Sequence, residues 1–288
     1  MNALTIDVEE HYHAHALASV HPTGAVNASR VVVNTKKILD ELAELGVTAT
    51  FFVLGRVAER QPDLVRLIHR GGHEIACHGL SHALVYRQSP DEFRAETLHA
   101  KRLLEDIIGA PVLGYRASTF SIRSDSLWAM EVIAEAGFRY DSSIAPVRHD
   151  LYGLIKAPPT PYRLDVGAGA TILEIPVATV SLLGMRLMVG GGGYFRLLPY
   201  WFTRTALRRI ERNGGQPFVV YLHPWEFDPE QPRPPTLPLL SRIRHYTNLC
   251  KTAERFRTLL ADFSFSSVSR LLETFERDCE VVPIAVLQ

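Results

Sequence analysis

The sequence is poor in cysteine, lacks any long apolar run and carries no excess charge of either sign. Its three cysteines, Cys77, Cys250 and Cys279, are too few and too scattered for a disulfide framework or a cysteine-rich zinc site. No stretch of about 18 apolar residues occurs, so no helical membrane span is expected. Lysine plus arginine and aspartate plus glutamate stand at 31 each. No global field therefore draws the chain to nucleic acid or to an anionic membrane, and any such binding needs a local patch. The N-terminus runs straight into a strand containing acids, without the basic-then-apolar order of a signal peptide. The expected location is cytoplasmic, with contact at the inner membrane face left open. No internal repeat is found.

What is present is enough apolar material, 47% of 288 residues, to bury a large core as one α/β domain or a domain with an appendage. The centre of the chain's chemistry is His78-Gly-Leu-Ser-His82, directly after the apolar run Ile75-Ala76-Cys77. Two imidazoles four residues apart on a turn or tight loop can reach one divalent metal. Leu4-Thr5-Ile6-Asp7-Val8-Glu9 is a β-branched run ending in two acids at i and i+2, which point the same way in a strand. Cys77 is set aside as a ligand, because strand alternation turns it away from the face that His78 uses.

The rest alternates strands with helices. Asn34–Leu45 reads as an amphipathic helix stopping at Gly46, 48–54 as a buried strand, Arg56–His69 as a helix and Glu74–Cys77 as a strand. Ser89-Pro90-Asp91-Glu92 starts a further helix running to about Ile108. Pro111–Tyr115 is a short strand leading to Arg116, read as the partner of a buried acid. Residues 146–170 read as a long loop walling a binding site, Thr171–Val177 as a strand, and Phe218–Leu222 as a buried strand delivering His223. This spacing predicts a parallel α/β sheet or barrel whose chemistry gathers at the carboxyl ends of its strands. Asp7, Glu9, His78, Arg116 and His223 all fall there. His11, His13 and His15 are read as a loop flanking the mouth. Gly190–Gly193 lacks the pattern of a phosphate loop. Phe120 and Trp225 are either sugar-stacking rings or core. After a proline-rich stretch, Leu239–Leu272 reads as helical segments bracing the domain, and for the apolar tail Val281–Leu287 a bound strand, a dimer contact or a membrane-adjacent patch are all open.

Asp7-Val8-Glu9, His78-Gly-Leu-Ser-His82, Tyr115-Arg116-Ala117 and Tyr221-Leu222-His223 occur in the order of the motifs of the polysaccharide deacetylases, the NodB-type carbohydrate esterase family 4, and over about residues 2–227 the chain resembles that family. His223-Pro-Trp-Glu-Phe-Asp-Pro-Glu-Gln-Pro-Arg233, the stretch Gly-Gly-Gly-Tyr-Phe-Arg-Leu-Leu-Pro ending at Pro199, and Arg244-His-Tyr-Thr-Asn-Leu249 are similar to its exosortase-associated (PEP-CTERM locus) subgroup. The resemblance implies a distorted (β/α)7-type barrel over residues 1–232, with residues 233–288 as a C-terminal helical extension packed on it. It implies one divalent metal, usually zinc, held by Glu9, His78 and His82, with Asp7 as general base, Arg116 orienting it and His223 as general acid. The activity implied is removal of N-acetyl groups from amino sugars of an exopolysaccharide or its precursor. Two alternatives are hydrolysis of a small amide or ureide and a catalytically inactive carbohydrate-binding relative. The first motif departs from the commoner adjacent aspartates, having a glutamate one residue further on.

Overall fold

The structure is a computed structural model describing residues 1–14, 17, 29–167, 169–214, 217–277 and 279–288. His15, expected at the mouth, lies outside the described residues. The strands are β1 (Asn2–Val8), β2 (Thr50–Val53), β3 (Glu74–Cys77), β4 (Gly114–Tyr115), β5 (Tyr140–Asp141), β6 (Tyr162–Gly167), β7 (Ala170–Glu174), β8 (Thr179–Leu182), β9 (Met185–Met188), β10 (Val219–Leu222), β11 (Phe265–Ser266) and β12 (Val281–Pro283). The helices are α1 (Val31–Leu45), α2 (Gly55–Arg60), α3 (Pro62–Arg70), α4 (Pro90–Ile108), α5 (Trp128–Glu135), α6 (Gly192–Leu197), α7 (Tyr200–Gly214), α8 (Leu239–Tyr246), α9 (Thr252–Asp262) and α10 (Val268–Glu276).

One sheet runs in the order β10-β1-β2-β3-β4-β5-β7-β6-β12, with β11 also on β1. Every pairing in it is parallel except the β6–β7 hairpin. The chain leaving β7 spans the gap back to β10. Ile175 N donates to Asp141 O at 2.8 Å, Ala178 N to Val219 O at 3.0 Å, and Tyr221 N to Gly190 O at 2.7 Å. The result is an α/β fold whose sheet curves toward a distorted barrel.

β1 is buried along its whole length, as a parallel strand covered on both faces must be. Its alternation sorts the side chains. Leu4, Ile6 and Val8 join the cluster between sheet and helices, whereas Ala3 joins the interior cluster with Phe52, Ala76, Tyr140, Leu173 and Tyr221. Thr5 and Asp7 share the interior side of Ala3, so the strand's period aims Asp7 into the barrel. The helices close as their sequences dictate. α1 ends on Gly46 in the left-handed region (φ 62°), and at α4 the Ser89 amide donates to Glu92 Oε2 at 2.8 Å while the Glu92 amide donates to Ser89 Oγ at 3.3 Å, a reciprocal cap.

Two expectations are corrected. The segment 146–170 is not a loop throughout: Tyr162–Gly167 forms β6, because Tyr162, Leu164 and Val166 alternate with polar residues and pair antiparallel with β7. The strand placed at Thr171–Val177 is β7 at Ala170–Glu174, and beyond it the backbone turns from β5 toward β10. The tail takes the first of its three options, β12 adding in parallel to β6 with Leu287 buried.

Candidate metal centre and active site

Glu9 lies one residue beyond β1, and His78 and His82 lie in the loop after β3. One ligand atom from each falls within 4.8 Å of the others. Glu9 Oε2 is 2.6 Å from His82 Nε2 and 3.8 Å from His78 Nε2. Two devices aim the imidazoles. His78 Nδ1 lies 2.8 Å from the carbonyl of Arg116; a carbonyl only accepts, so this bond puts the proton on Nδ1 and leaves the Nε2 lone pair for the site. His82 sits in the left-handed region at φ 65°, a conformation costing a non-glycine residue about 1–2 kcal/mol. Thr119 (φ 57°) and Phe120 (φ 51°) share it, and all three line one cleft. Strain gathered at a cleft is a mark of a functional site.

Asp7 is held across from the trio. Arg116 Nη1 donates to Asp7 Oδ1 at 2.8 Å and to Thr5 Oγ1 at 2.8 Å. The far side of the guanidinium is fixed by Ser142, whose carbonyl accepts from Nε at 3.2 Å and whose Oγ accepts from Nη2 at 2.9 Å. Its flat face lies 4.1 Å from the Phe52 ring centroid. Arg116 is fully buried, so a lysine could not replace this planar fork. Glu9 is buried too, and burial alone would raise its pKa. The facing imidazoles, His82 first, outweigh that and hold it well below the usual carboxylate value.

His223 ends β10 with Nε2 turned inward, 3.9 Å from Asp7 Oδ2 and 4.0 Å from Glu9 Oε1. Its Nδ1 lies 3.0 Å from Glu226 Oε2. Burial works against the imidazolium, but the hydrogen bond and charge of Glu226, then Glu9 and Asp7, raise its pKa to about 9. Glu226 meets the same burial and is nevertheless brought down to about 2, first by the charge of Arg196 and then by His223. Arg196 is itself buried: its Nε donates to Glu226 Oε1 at 2.6 Å and its Nη1 to the carbonyls of His245 (2.8 Å) and Thr247 (3.0 Å).

These groups line a cleft of about 180 Å³ with Tyr152, Gly192, Gly193, Tyr221, Phe120 and Trp225. Larger hollows of about 310 and 650 Å³ lie elsewhere; the first has no acid or imidazole in its lining and the second has one of each, Asp40 and His73. Phe120 packs edge-on to Tyr221 at 5.0 Å. Trp225 borders the cleft, but its ring is stacked on His223 at 4.9 Å and on His245 at 4.6 Å, and its Nε1 donates to Glu9 Oε1 at 3.0 Å. What it offers is support for Glu9 and His223, in keeping with the core alternative for this ring. His13 stacks on His82 at 5.5 Å and is kept neutral, its pKa lowered to about 3 by burial and the His82 charge. Cys77 is buried, and burial raises its thiol pKa to about 12. The glycine run serves packing: a Cβ on Gly191 would lie 1.7 Å from Tyr221 O.

Ser142, Arg196 and Glu226 escaped the sequence reading as site residues. The spacing His223-x-x-Glu226 was the available signal for the last; a buried arginine thirty residues earlier leaves none.

Residues 26–140 match the family model described as Polysaccharide deacetylase, and residues 142–273 match a domain of unknown function, DUF3473. The first span contains His78, His82 and Arg116, the second His223 and Glu226, and Asp7 and Glu9 precede both. The chain is 36% identical over 98 residues to a peptidoglycan-N-acetylglucosamine deacetylase of Bacillus cereus, covering 34% of this chain and 36% of that protein. It is 32% identical over 100 residues to a chitooligosaccharide deacetylase of Bradyrhizobium sp., covering 35% and 43%. The matched region thus spans less than half the length of these relatives. The crystal structure of a putative polysaccharide deacetylase from Mycobacterium smegmatis superposes with a TM-score of 0.64 over 95% of this chain and 88% of that one, at 24% identity, a likeness of fold. The fold is that of the NodB-like deacetylases. Family model and curated relatives thus give a likeness to the polysaccharide deacetylases over less than half of the chain.

Proposed function

We propose that the cleft is the active site of a metal-dependent hydrolase that removes N-acetyl groups from amino sugars of an exopolysaccharide or its precursor. The observation that carries this is the convergence of Glu9, His78 and His82 within 4.8 Å, faced by an acid held by arginine and an imidazole held by glutamate. One carboxylate and two imidazoles, one with its tautomer fixed by a carbonyl, fit Zn2+ with a position left open. When bound, the cation would polarise the amide carbonyl and make a water more acidic.

The chain's own groups then divide the proton traffic. Asp7 Oδ1 is occupied by Arg116, so Oδ2 takes the proton from the attacking water as its oxygen bonds to the carbonyl carbon. His223, kept protonated by Glu226, gives the Nε2 proton to the departing nitrogen as the C–N bond breaks. Acetate and a free amino sugar result. Phe120 and Tyr221 form the apolar wall against which the acetyl group rests. We place the chain in the exosortase-associated subgroup on the three stretches named above. We also take residues 1–232 as the deacetylase domain and 233–288 as an extension packed on it, a division supported by the pairing of β11 with β1 and of β12 with β6.

The test is acetate release from N-acetylglucosamine oligomers by protein stripped of metal and reloaded with zinc. Release should require the metal and fall about 10²–10⁴-fold in Asp7→Asn, with zinc still bound. His78→Ala should lose zinc and activity together. Stoichiometric zinc with no acetate from any sugar would overturn the reading and turn the search to small amides.

A further inference from the structure

We propose that α8 and the segment leading into it dock the chain onto a membrane surface bearing anionic headgroups. The chain as a whole is neutral, yet residues 231–253 contain Arg233, Arg242, Arg244 and Lys251 and no acid. That local excess of four positive charges is the patch that the global balance hides. Within it α8 exposes Leu239 (69%), Leu240 (70%) and Ile243 (48%), with Arg242 and Arg244 exposed among them. A helix that buries only His245 and turns aliphatic side chains outward beside arginines has the composition of an interfacial helix. Protein interfaces centre instead on aromatic anchors with charge depleted from their core. Here aliphatic and cationic groups share one face, as entry into a headgroup layer requires.

The face also stands beside the cleft. Arg196 Nη2 donates to Arg244 O at 3.2 Å, and the helix carrying Arg196 begins at Gly192 and Gly193, which line the cleft. The Arg244 charge acts on Tyr152, another lining residue. Docking through α8 would bring the mouth to sugars carried at the bilayer. That purpose rests on the deacetylase reading; the docking itself does not.

The experiment is sedimentation of the full chain with phosphatidylcholine vesicles with and without phosphatidylglycerol, at low and high salt. Binding should require phosphatidylglycerol and weaken with salt. Each arginine near an anionic surface adds about fivefold to binding, so Arg233→Gln with Arg242→Gln should weaken it on the order of 20-fold. Leu240→Ser with Ile243→Ser should weaken it about tenfold or more. Both variants should keep the wild-type melting curve and acetate release from a soluble oligosaccharide. No sedimentation, equal binding to both vesicle types, or binding unchanged in the variants would overturn the proposal. So would a concentration-dependent dimer abolished by the Leu240/Ile243 pair, which would assign the face to a second copy. Vesicle binding without acetate release would sink the deacetylase reading alone.

Discussion

Asp7 and Glu9 at the mouth of the barrel, and Asp141 and Glu174 on the outer side of the same sheet, are two carboxylate pairs buried to nearly the same degree. Burial pushes Glu9, Asp141 and Glu174 toward the neutral form. The first pair faces Arg116 and the imidazoles, and Glu9 is held well below its usual pKa. The second pair sits side by side in register between β5 and β7 and faces uncharged donors: Ser143 and the amides of Ser143 and Ile144. There burial prevails, and both pKa values are raised. Partners, and not depth, decide which acids are charged and so which can take up a proton at neutral pH. Ser142 joins the two regions, following Asp141 in sequence and gripping Arg116 with its other face.

The largest effect should come from making the first pair resemble the second. Arg116→Met leaves Asp7 buried without its cation, which typically costs about 3–5 kcal/mol, and kcat/KM should drop by about 10³-fold. Denaturant unfolding at about pH 7 checks the stability claim, and a variant as stable as wild type would break the contrast.

A smaller effect is expected from Glu226→Gln. With Glu226 gone, burial pulls the His223 pKa down from about 9, so the basic limb of the pH–rate profile should move toward acid. Activity at about pH 8 should fall about 10–100-fold, and less at about pH 6. A bound cation lowers the limb in both proteins and leaves the difference. In stability, a raised histidine pKa contributes fully below its unfolded value of about 6.5, and the contribution is lost as pH rises through about 9. An unmoved limb would remove Glu226 from the mechanism.

The smallest change sharpens the comparison from the other side. Because Asp141 and Glu174 bind protons more tightly folded than unfolded, their contribution is complete at low pH and lost as pH rises above the ordinary carboxylate range. Glu174→Gln keeps one member neutral, so thermal unfolding should depend less on pH between about 5 and 9, by about 1 kcal/mol. The same pH dependence as wild type would show that the pair ionises freely.

Much of this site could be read from the sequence because it is local there. The acids of β1 follow strand alternation, the imidazole pair sits within five residues, and Arg116 and His223 each end a strand. Wholly apolar or alternating runs announced β1, β2, β3 and β10 for the same reason. β6 was missed because proline and glycine around it mask a six-residue alternation that only its β7 partner makes stable. The supports of His223 were missed because they belong to no single stretch. Arg196, Glu226 and the carbonyls of His245 and Thr247 come from three separate segments, and the same three segments carried the likeness to the subgroup. Their shared signature is one hydrogen-bonded brace. The role of Trp225 stayed open in the sequence because an aromatic beside a catalytic candidate looks alike whether it faces a sugar or two imidazoles.

The pairing of β1 with both β10 and β11 has a consequence in time. Glu9 leaves the ribosome 216 positions ahead of Trp225, which holds its carboxylate. At about 5–20 residues per second, that is a wait on the order of 10 to 40 s, and Phe265 and Ser266 on β11 come later still. Throughout that interval the first strand has its β2 neighbour but lacks the other, and an apolar ribbon with one bare edge is the kind of intermediate that chaperones protect. A nascent chain halted before Leu222 would own the two histidines and both acids yet have no enclosed cleft, so the site stays open until β10 has been made.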